Sequence, residues 1–258
     1  MQHDTIINGA TLRISQSPIG NDQPTLIFLH DSLGCIALWR DFPTKLGQAT
    51  NCNVLVYDRQ GYGKSSPFAD HERRLDYLEK EADVLNELIK QCGIKQAILF
   101  GHSDGGSIAL LAAAKYPSCI VGVITEGAHI FVEGSTLAGI QTAVEAYRTT
   151  NLNERLQKYH GDKTDAVFRA WADTWLSDNF KLWNIEHFLP RIKCPVLVIQ
   201  GEQDEYGSLE QVQGIVRQVS GQASQLIIPG SGHTPHKEAQ DVVLAHATSF
   251  INHLLASC

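Results

Sequence analysis

The stretch from Ala97 to Lys115 restricts the fold more than any other part of the chain. Four apolar residues, Ala97-Ile98-Leu99-Phe100, run into Gly101-His102-Ser103-Asp104-Gly105-Gly106, and Ser107 to Lys115 is rich in Ala and Leu before Tyr116-Pro117. An apolar run of strand length, then glycines, then helix formers reads as strand, sharp turn and helix. In that context a Gly-x-Ser-x-Gly sequence holds its serine in a strained turn, with small neighbours that let the backbone pass closely. Ser103 is therefore the candidate nucleophile. The N–H of Asp104, at the head of the helix, is expected to face a developing oxyanion.

The same rhythm recurs along the chain. Thr25–Leu29, Val54–Tyr57, Ile120–Thr125, Val196–Ile199 and Leu226–Ile228 are short apolar runs, as in strands covered on both faces. Helix-period segments lie between them. Leu75 to Gln91 puts Leu78, Ala82, Leu85, Leu88 and Ile89 on one face, and Gln240 to Leu255 is amphipathic. The pattern predicts an α/β chain with a mostly parallel sheet flanked by helices. Gly, Pro, His or Asp follows almost every run, so reactive residues gather at the C-terminal strand ends. From about Glu133 to Pro190 the rhythm breaks, and three of the four tryptophans (Trp171, Trp175, Trp183) fall there without a convincing strand. Residues 131–190 are expected to form a helical cap over a core of 1–130 and 191–258. Its aromatics are expected to serve mainly as core, with Trp171 and Trp175 as candidate substrate contacts.

A serine hydroxyl needs an adjacent base. Of eleven histidines, His233 lies in Pro229-Gly230-Ser231-Gly232-His233, between the last strand and the last helix, and His236 competes with it. His102, on the tight turn beside Ser103, is expected to point its ring away. The acid that orients the base is sought in Gly201-Glu202-Gln203-Asp204, after the Val196 strand. Loop placement favours Asp204. Glu202 and Glu205 are expected to form a solvated turn, and Glu126 is a distant stand-in. His30-Asp31-Ser32-Leu33-Gly34 is the candidate loop for a second oxyanion donor, Ser32 first and Leu33 next. Asp58-Arg59-Gln60-Gly61-Tyr62-Gly63-Lys64-Ser65 reads as a structural turn whose Asp58 and Arg59 brace loops near the site.

Composition narrows the partners. A net charge of −7 without any long Lys/Arg run weighs against nucleic acid. No uninterrupted apolar segment is long enough to span a bilayer, and Met1-Gln2-His3-Asp4-Thr5 lacks the basic and apolar stretches of a signal peptide. Six scattered cysteines with no Cys-x-x-Cys pair read as reduced thiols. The expectation is a cytoplasmic protein acting on a small molecule, with no membrane or nucleic-acid partner, as a monomer or homodimer.

Together the His30–Gly34 loop, Asp58–Ser65, Gly101–Gly106, Gly201–Asp204 and Gly232-His233 resemble the α/β-hydrolase superfamily over essentially the whole chain. The Glu133–Pro190 segment stands where that family inserts its variable cap. Gly101–Gly106 through Ala114-Lys115-Tyr116-Pro117, with Leu189-Pro190-Arg191-Ile192-Lys193-Cys194-Pro195, is similar to the biphenyl-hydrolase-like (valacyclovirase-like) esterases. The resemblance implies the triad Ser103, Asp204 and His233, with oxyanion donors from Ser32 and Asp104. It implies hydrolysis of a small carboxylic ester, thioester or lactone through an acyl-enzyme, with no metal or organic cofactor.

Ser103 separates the chain from haloalkane dehalogenases and epoxide hydrolases of this fold, which use Asp. Carbon–carbon bond hydrolases usually carry Trp after the catalytic His, where this chain has Thr234. That chemistry, a lyase or perhydrolase with the same triad, and a non-catalytic binding protein are the alternatives; three intact triad candidates weigh against the last. One departure is Asp31, where many members have Gly after the loop histidine. A carboxylate aimed inward would oppose an oxyanion, so Asp31 is expected to point elsewhere or to bind a cation. Asp31, Leu33, Glu126 and His129 complete the candidate substrate contacts, and a carboxylate facing the acyl pocket would favour amino-bearing esters.

Overall fold

The computed structural model describes residues 1–17, 23–69 and 73–256. The strands are β1 (Gln2–Ile7), β2 (Ala10–Gln16), β3 (Thr25–Leu29), β4 (Asn53–Tyr57), β5 (Ala97–His102), β6 (Ile120–Glu126), β7 (Val196–Gly201) and β8 (Ala223–Ile228). They form one sheet in the order β1-β2-β4-β3-β5-β6-β7-β8. Every pairing from β4 across to β8 is parallel, while β1–β2 and β2–β4 are antiparallel. This is the α/β-hydrolase arrangement that the sequence motifs implied.

The antiparallel β1–β2 hairpin was not anticipated. It turns on Asn8-Gly9, both with positive φ (49° and 82°), the two-residue connection whose twist suits a hairpin. Four of the six β1 residues are exposed, so no buried apolar run marks it in the sequence.

The helices are α1 (Phe42–Thr50), α2 (Tyr77–Gln91), α3 (Asp104–Lys115), α4 (Gly134–Thr149), α5 (Leu152–His160), α6 (Thr164–Leu176), α7 (Leu209–Gln218), α8 (Pro235–Glu238) and α9 (Gln240–Ala256). Successive strand residues point to opposite faces, so one core forms on each side of the sheet. Phe28, Phe42, Phe100, Ile124, Val243 and Ile251 fill the side of α1 and α9. Ile27, Leu55, Leu85, Ile108, Leu111 and Val123 fill the side of α2 and α3. Each such side chain contributes about 1.5–3 kcal/mol of hydrophobic stabilisation when fully buried. In α3 every residue from Asp104 to Ala114 is buried, which explains its Ala and Leu on all sides. No described helix is long and apolar enough to cross a membrane.

Helices α4, α5 and α6 lie between β6 and β7 in the chain and pack on one another. Specific bonds tie them to the rest. The Gly63 N–H donates to His160 Nδ1 (3.0 Å), and His160 Nε2 donates to the Leu33 carbonyl (2.9 Å). Lys163 Nζ donates to the Tyr62 carbonyl, and Trp175 Nε1 to the Tyr77 hydroxyl (2.9 Å).

Candidate active site

Ser103 closes β5 and opens α3 with φ 55° and ψ −121°, a conformation that non-glycine residues adopt rarely. Its N–H donates to the Glu126 carbonyl (2.8 Å), and its own carbonyl accepts from Gly106 N (2.8 Å) and Ser107 N (3.2 Å). Strand and helix approach so closely that a Cβ on Gly101 would stand 2.1 Å from the Gly105 carbonyl oxygen. The turn thus forces the strained serine, as expected from its small neighbours.

His233 Nδ1 lies 2.8 and 2.9 Å from the two carboxylate oxygens of Asp204. Its ring sits over Gly127, the residue after Glu126, where a Cβ would come within 2.9 Å of His233 Cε1. Gly127 itself has φ 57°, so glycine satisfies both its backbone and the ring above it. Asp204 is fully engaged: Tyr206 N (2.8 Å), Gly207 N (3.2 Å) and Gln200 Nε2 (2.8 Å) all donate to it. Burial alone would raise its pKa, but the His233 ring, the Tyr206 N–H and nearby His129 hold it below the usual carboxylate value. Its carboxylate accepts from an N–H on His233 Nδ1, which leaves Nε2 as the other ring nitrogen of that side chain. The Ser103 hydroxyl makes no hydrogen bond to a described residue; such contacts often tighten only around bound substrate.

Three carboxylates surround the turn, and each is matched by a basic side chain. Asp104 accepts from the Tyr77 hydroxyl (3.1 Å) and lies 3.6 Å from the fully buried Arg59 guanidinium. Glu126 receives His236 Nδ1 (2.5 Å) and the His236 N–H. Asp31 Oδ1 lies 3.8 Å from His102 Nδ1, and the carboxylate folds back over its own loop, where a Cβ on Gly34 would stand 2.1 Å from Oδ1. Glu126 has no exposed surface, so the carboxylate taken as a substrate contact and stand-in acid is instead spent on His236. His102 also differs from expectation: its ring packs 5.1 Å from that of His233, and its Nε2 donates to the His233 carbonyl (2.8 Å).

In the His30–Gly34 loop, the Leu33 N–H donates to Asp31 Oδ2 (3.4 Å). Arg59 braces the loop through the Asp31 carbonyl (2.9 Å), while Asp58 accepts from Ile36 N (2.6 Å) and Lys64 N (2.8 Å). Both residues thus support neighbouring loops without pairing with each other.

His129, Trp171 and Trp175 form an aromatic layer beside His233. His129 is buried, its Nε2 donates to the Tyr206 carbonyl (3.0 Å), and burial lowers its pKa. Trp175 packs on His129 (5.3 Å between ring centroids) and Trp171 on Tyr206 (6.1 Å), which in turn lies 4.8 Å from His233. Tyr206, Gln200 and Glu238 escaped the sequence reading. Gln200, a polar residue next to the end of an otherwise apolar buried strand, was a readable signal. Glu205 and Glu202, expected in a solvated turn, accept from His233 N (3.2 Å) and Gly230 N (3.3 Å), and Glu238 accepts from Gly232 N (2.6 Å).

Among the described residues, His102, Glu126 and His236 bring metal-ligating atoms within 4.8 Å of one another. The Glu126–His236 contact of 2.5 Å is well below the roughly 3.3 Å separating two ligands of a tetrahedral metal with bonds near 2 Å. The pair stands at hydrogen-bonding separation.

A model of the alpha/beta hydrolase family matches residues 26–246. The chain belongs to that family. Among its relatives, serine hydrolase BPHL of Homo sapiens is 30% identical over 257 residues, covering 95% of this chain and 84% of the human one. A 2-hydroxy-6-oxononadienedioate/2-hydroxy-6-oxononatrienedioate hydrolase of Paraburkholderia phymatum is 28% identical over 229 residues, covering 78% of each. The solved 2-hydroxy-6-oxo-6-phenylhexa-2,4-dienoate hydrolase from Rhodococcus sp. strain RHA1 superposes with a TM-score of 0.82 at 15% identity. It covers 96% of this chain and 97% of its own, a likeness of fold. In this alpha/beta hydrolase Ser103, Asp204 and His233 follow the C-terminal ends of β5, β7 and β8, on one edge of the sheet.

Proposed function

We propose that this hydrolase cleaves a small carboxylic ester, thioester or lactone through a covalent acyl-enzyme. The observation that carries the reading is the strained Ser103 at the head of α3, on the same sheet edge as the His233–Asp204 pair. Ser103 attacks the substrate carbonyl while His233 Nε2 takes its proton, and Asp204 stabilises the imidazolium that forms. The oxyanion is received by the N–H groups of Asp104 and Ser32. Asp104 N opens α3, where first-turn amides lack intrahelical acceptors. Leu33 N is already committed to Asp31, which favours Ser32 in its loop. Each donor is worth about 3 kcal/mol in the transition state. His233 then protonates the leaving group and activates water for deacylation. Leu33, Trp171 and Trp175 are proposed to shape the acyl and leaving-group pocket.

Ser103→Ala is expected to abolish p-nitrophenyl acetate turnover and labelling by a fluorophosphonate probe; turnover at an unchanged rate would sink the assignment. The kinship to a dienedioate hydrolase supports a second reading, carbon–carbon cleavage with the same three residues. Turnover of 2-hydroxy-6-oxononadienedioate well above that of simple esters would favour it.

A further inference from the structure

Asp31, the departure from the family's oxyanion loop, and the inward-turned His102 are used by no step above. His102 is the last residue of β5 and adjoins Ser103. Its Nε2 lies 2.8 Å from the His233 main-chain oxygen, and a carbonyl only accepts, so Nε2 carries a proton. The other ring nitrogen faces Asp31 Oδ1 at 3.8 Å, too long for a hydrogen bond but close enough for an ion pair. A lone pair there would oppose the carboxylate, whereas an N–H is attracted to it.

The charged and titratable groups around the ring are Asp31 from the β3 loop, Glu126 from β6, His236 and Lys237 from α8, and His233 itself. Trp39 packs against it edge-on (6.4 Å). Burial disfavours a charged ring, but Asp31 and Glu126 outweigh this and raise its pKa above the usual histidine value. Asp31 is held well below the usual carboxylate range by His102 against the same burial.

We propose that His102, held by Asp31, is a positioning residue for the reaction. Its Nε2–H tethers the main chain of His233 to the neighbour of the nucleophile and so sets the separation of nucleophile and base. The inference rests on Ser103 and His233 having those roles. The other hydrogen bonds on the His233 loop run to Glu202, Gln203, Asp204, Glu205, Ile228 and Glu238, none of which belongs to the strand carrying Ser103. A charge-assisted bond is stronger than a neutral one, which gives Asp31 its place: facing the second ring nitrogen at 3.8 Å, it favours the protonated ring and so the stronger donor to His233.

The test measures pre-steady-state acylation by p-nitrophenyl acetate, per active site titrated with a fluorophosphonate probe. It compares wild type with His102→Leu, His102→Gln, Asp31→Asn and the double variant Asp31→Asn/His102→Gln. His102→Leu should acylate on the order of 100-fold more slowly with KM nearly unchanged, as for misplaced catalytic groups. His102→Gln, whose amide donates to the same carbonyl, should regain on the order of tenfold of that loss. Asp31→Asn should slow the protein that keeps His102 and add nothing to His102→Gln.

Wild-type acylation by His102→Leu, or equal losses from Asp31→Asn in both backgrounds, overturns the tether. If circular dichroism shows His102→Leu unfolded, the two Asp31→Asn comparisons decide alone. A wild type that the probe does not label overturns the nucleophile assignment and the tether with it; a labelled wild type with an unaffected His102→Leu overturns the tether alone.

Discussion

At the residue scale, Ser103 illustrates how strain is maintained. Its backbone conformation costs on the order of 1–3 kcal/mol, yet both its N–H and its carbonyl are bonded, so the surroundings leave it no relaxed alternative. Asp204 shows the converse, a side chain whose surroundings favour its charge. Asp204→Asn keeps the shape but removes that charge and disturbs the His233 tautomer, so kcat on p-nitrophenyl acetate should fall about 10⁴-fold. Loss of less than about tenfold would move the acid's role elsewhere. Stability should respond too. The Asp204 pKa is depressed on folding, so its contribution is complete above the unfolded value near 3.9 and disappears as pH falls through the depressed one. Below about pH 4 the urea midpoint of Asp204→Asn should therefore drop less steeply than that of wild type.

The element that matters most is the β5–α3 unit and its crossing with β3. A Cβ on Gly105 would stand 2.0 Å from the Leu29 carbonyl oxygen, backbone against backbone, with no flexible side chain to yield. Gly105→Ala should destabilise the protein by about 3 kcal/mol in urea denaturation, at the upper end of ordinary overpacking. A change within about 0.5 kcal/mol, typical of a free surface position, would refute this account of the glycine. Elements differ in how clearly the sequence announces them. Strands β3 to β7 and helices α2, α3 and α9 are legible because burial on one or both faces demands continuous or periodic apolar residues, and the edge strand β8 shows through its apolar end Leu226–Ile228, of which only Ile228 is buried. Helices α1 and α7 are not: α1 is short and contains Pro43 and Gly47, and the buried face of α7 is Gln211, Val212, Gly214 and Ile215. Half of that α7 face is polar or has no side chain, although Leu209, Val212, Ile215 and Val216 keep helical spacing over its ten residues.

Across the whole molecule, the helices between β6 and β7 are bonded into the nucleophile side through His160, Lys163 and Trp175. Unfolding should then be one transition, with tryptophan fluorescence, dominated by Trp171, Trp175 and Trp183, coinciding with far-UV circular dichroism. An earlier fluorescence transition would mean that this layer melts separately. The sequence by itself determined the parallel sheet, the strained serine and the loops that offer Asp204 and His233. These follow from local chemistry: apolar runs of strand length, glycines at close approaches, and short loops at one sheet edge. Only the tertiary structure decided which carboxylate meets which histidine, because those partners lie 29, 71 and 110 positions apart and no local pattern records them. Asp204 went to His233, Glu126 to His236 and Asp31 to His102. The last pairing gives the unexpected acid of the His30–Gly34 loop a histidine partner, as a charge drawn out of water is most stable beside its counterpart.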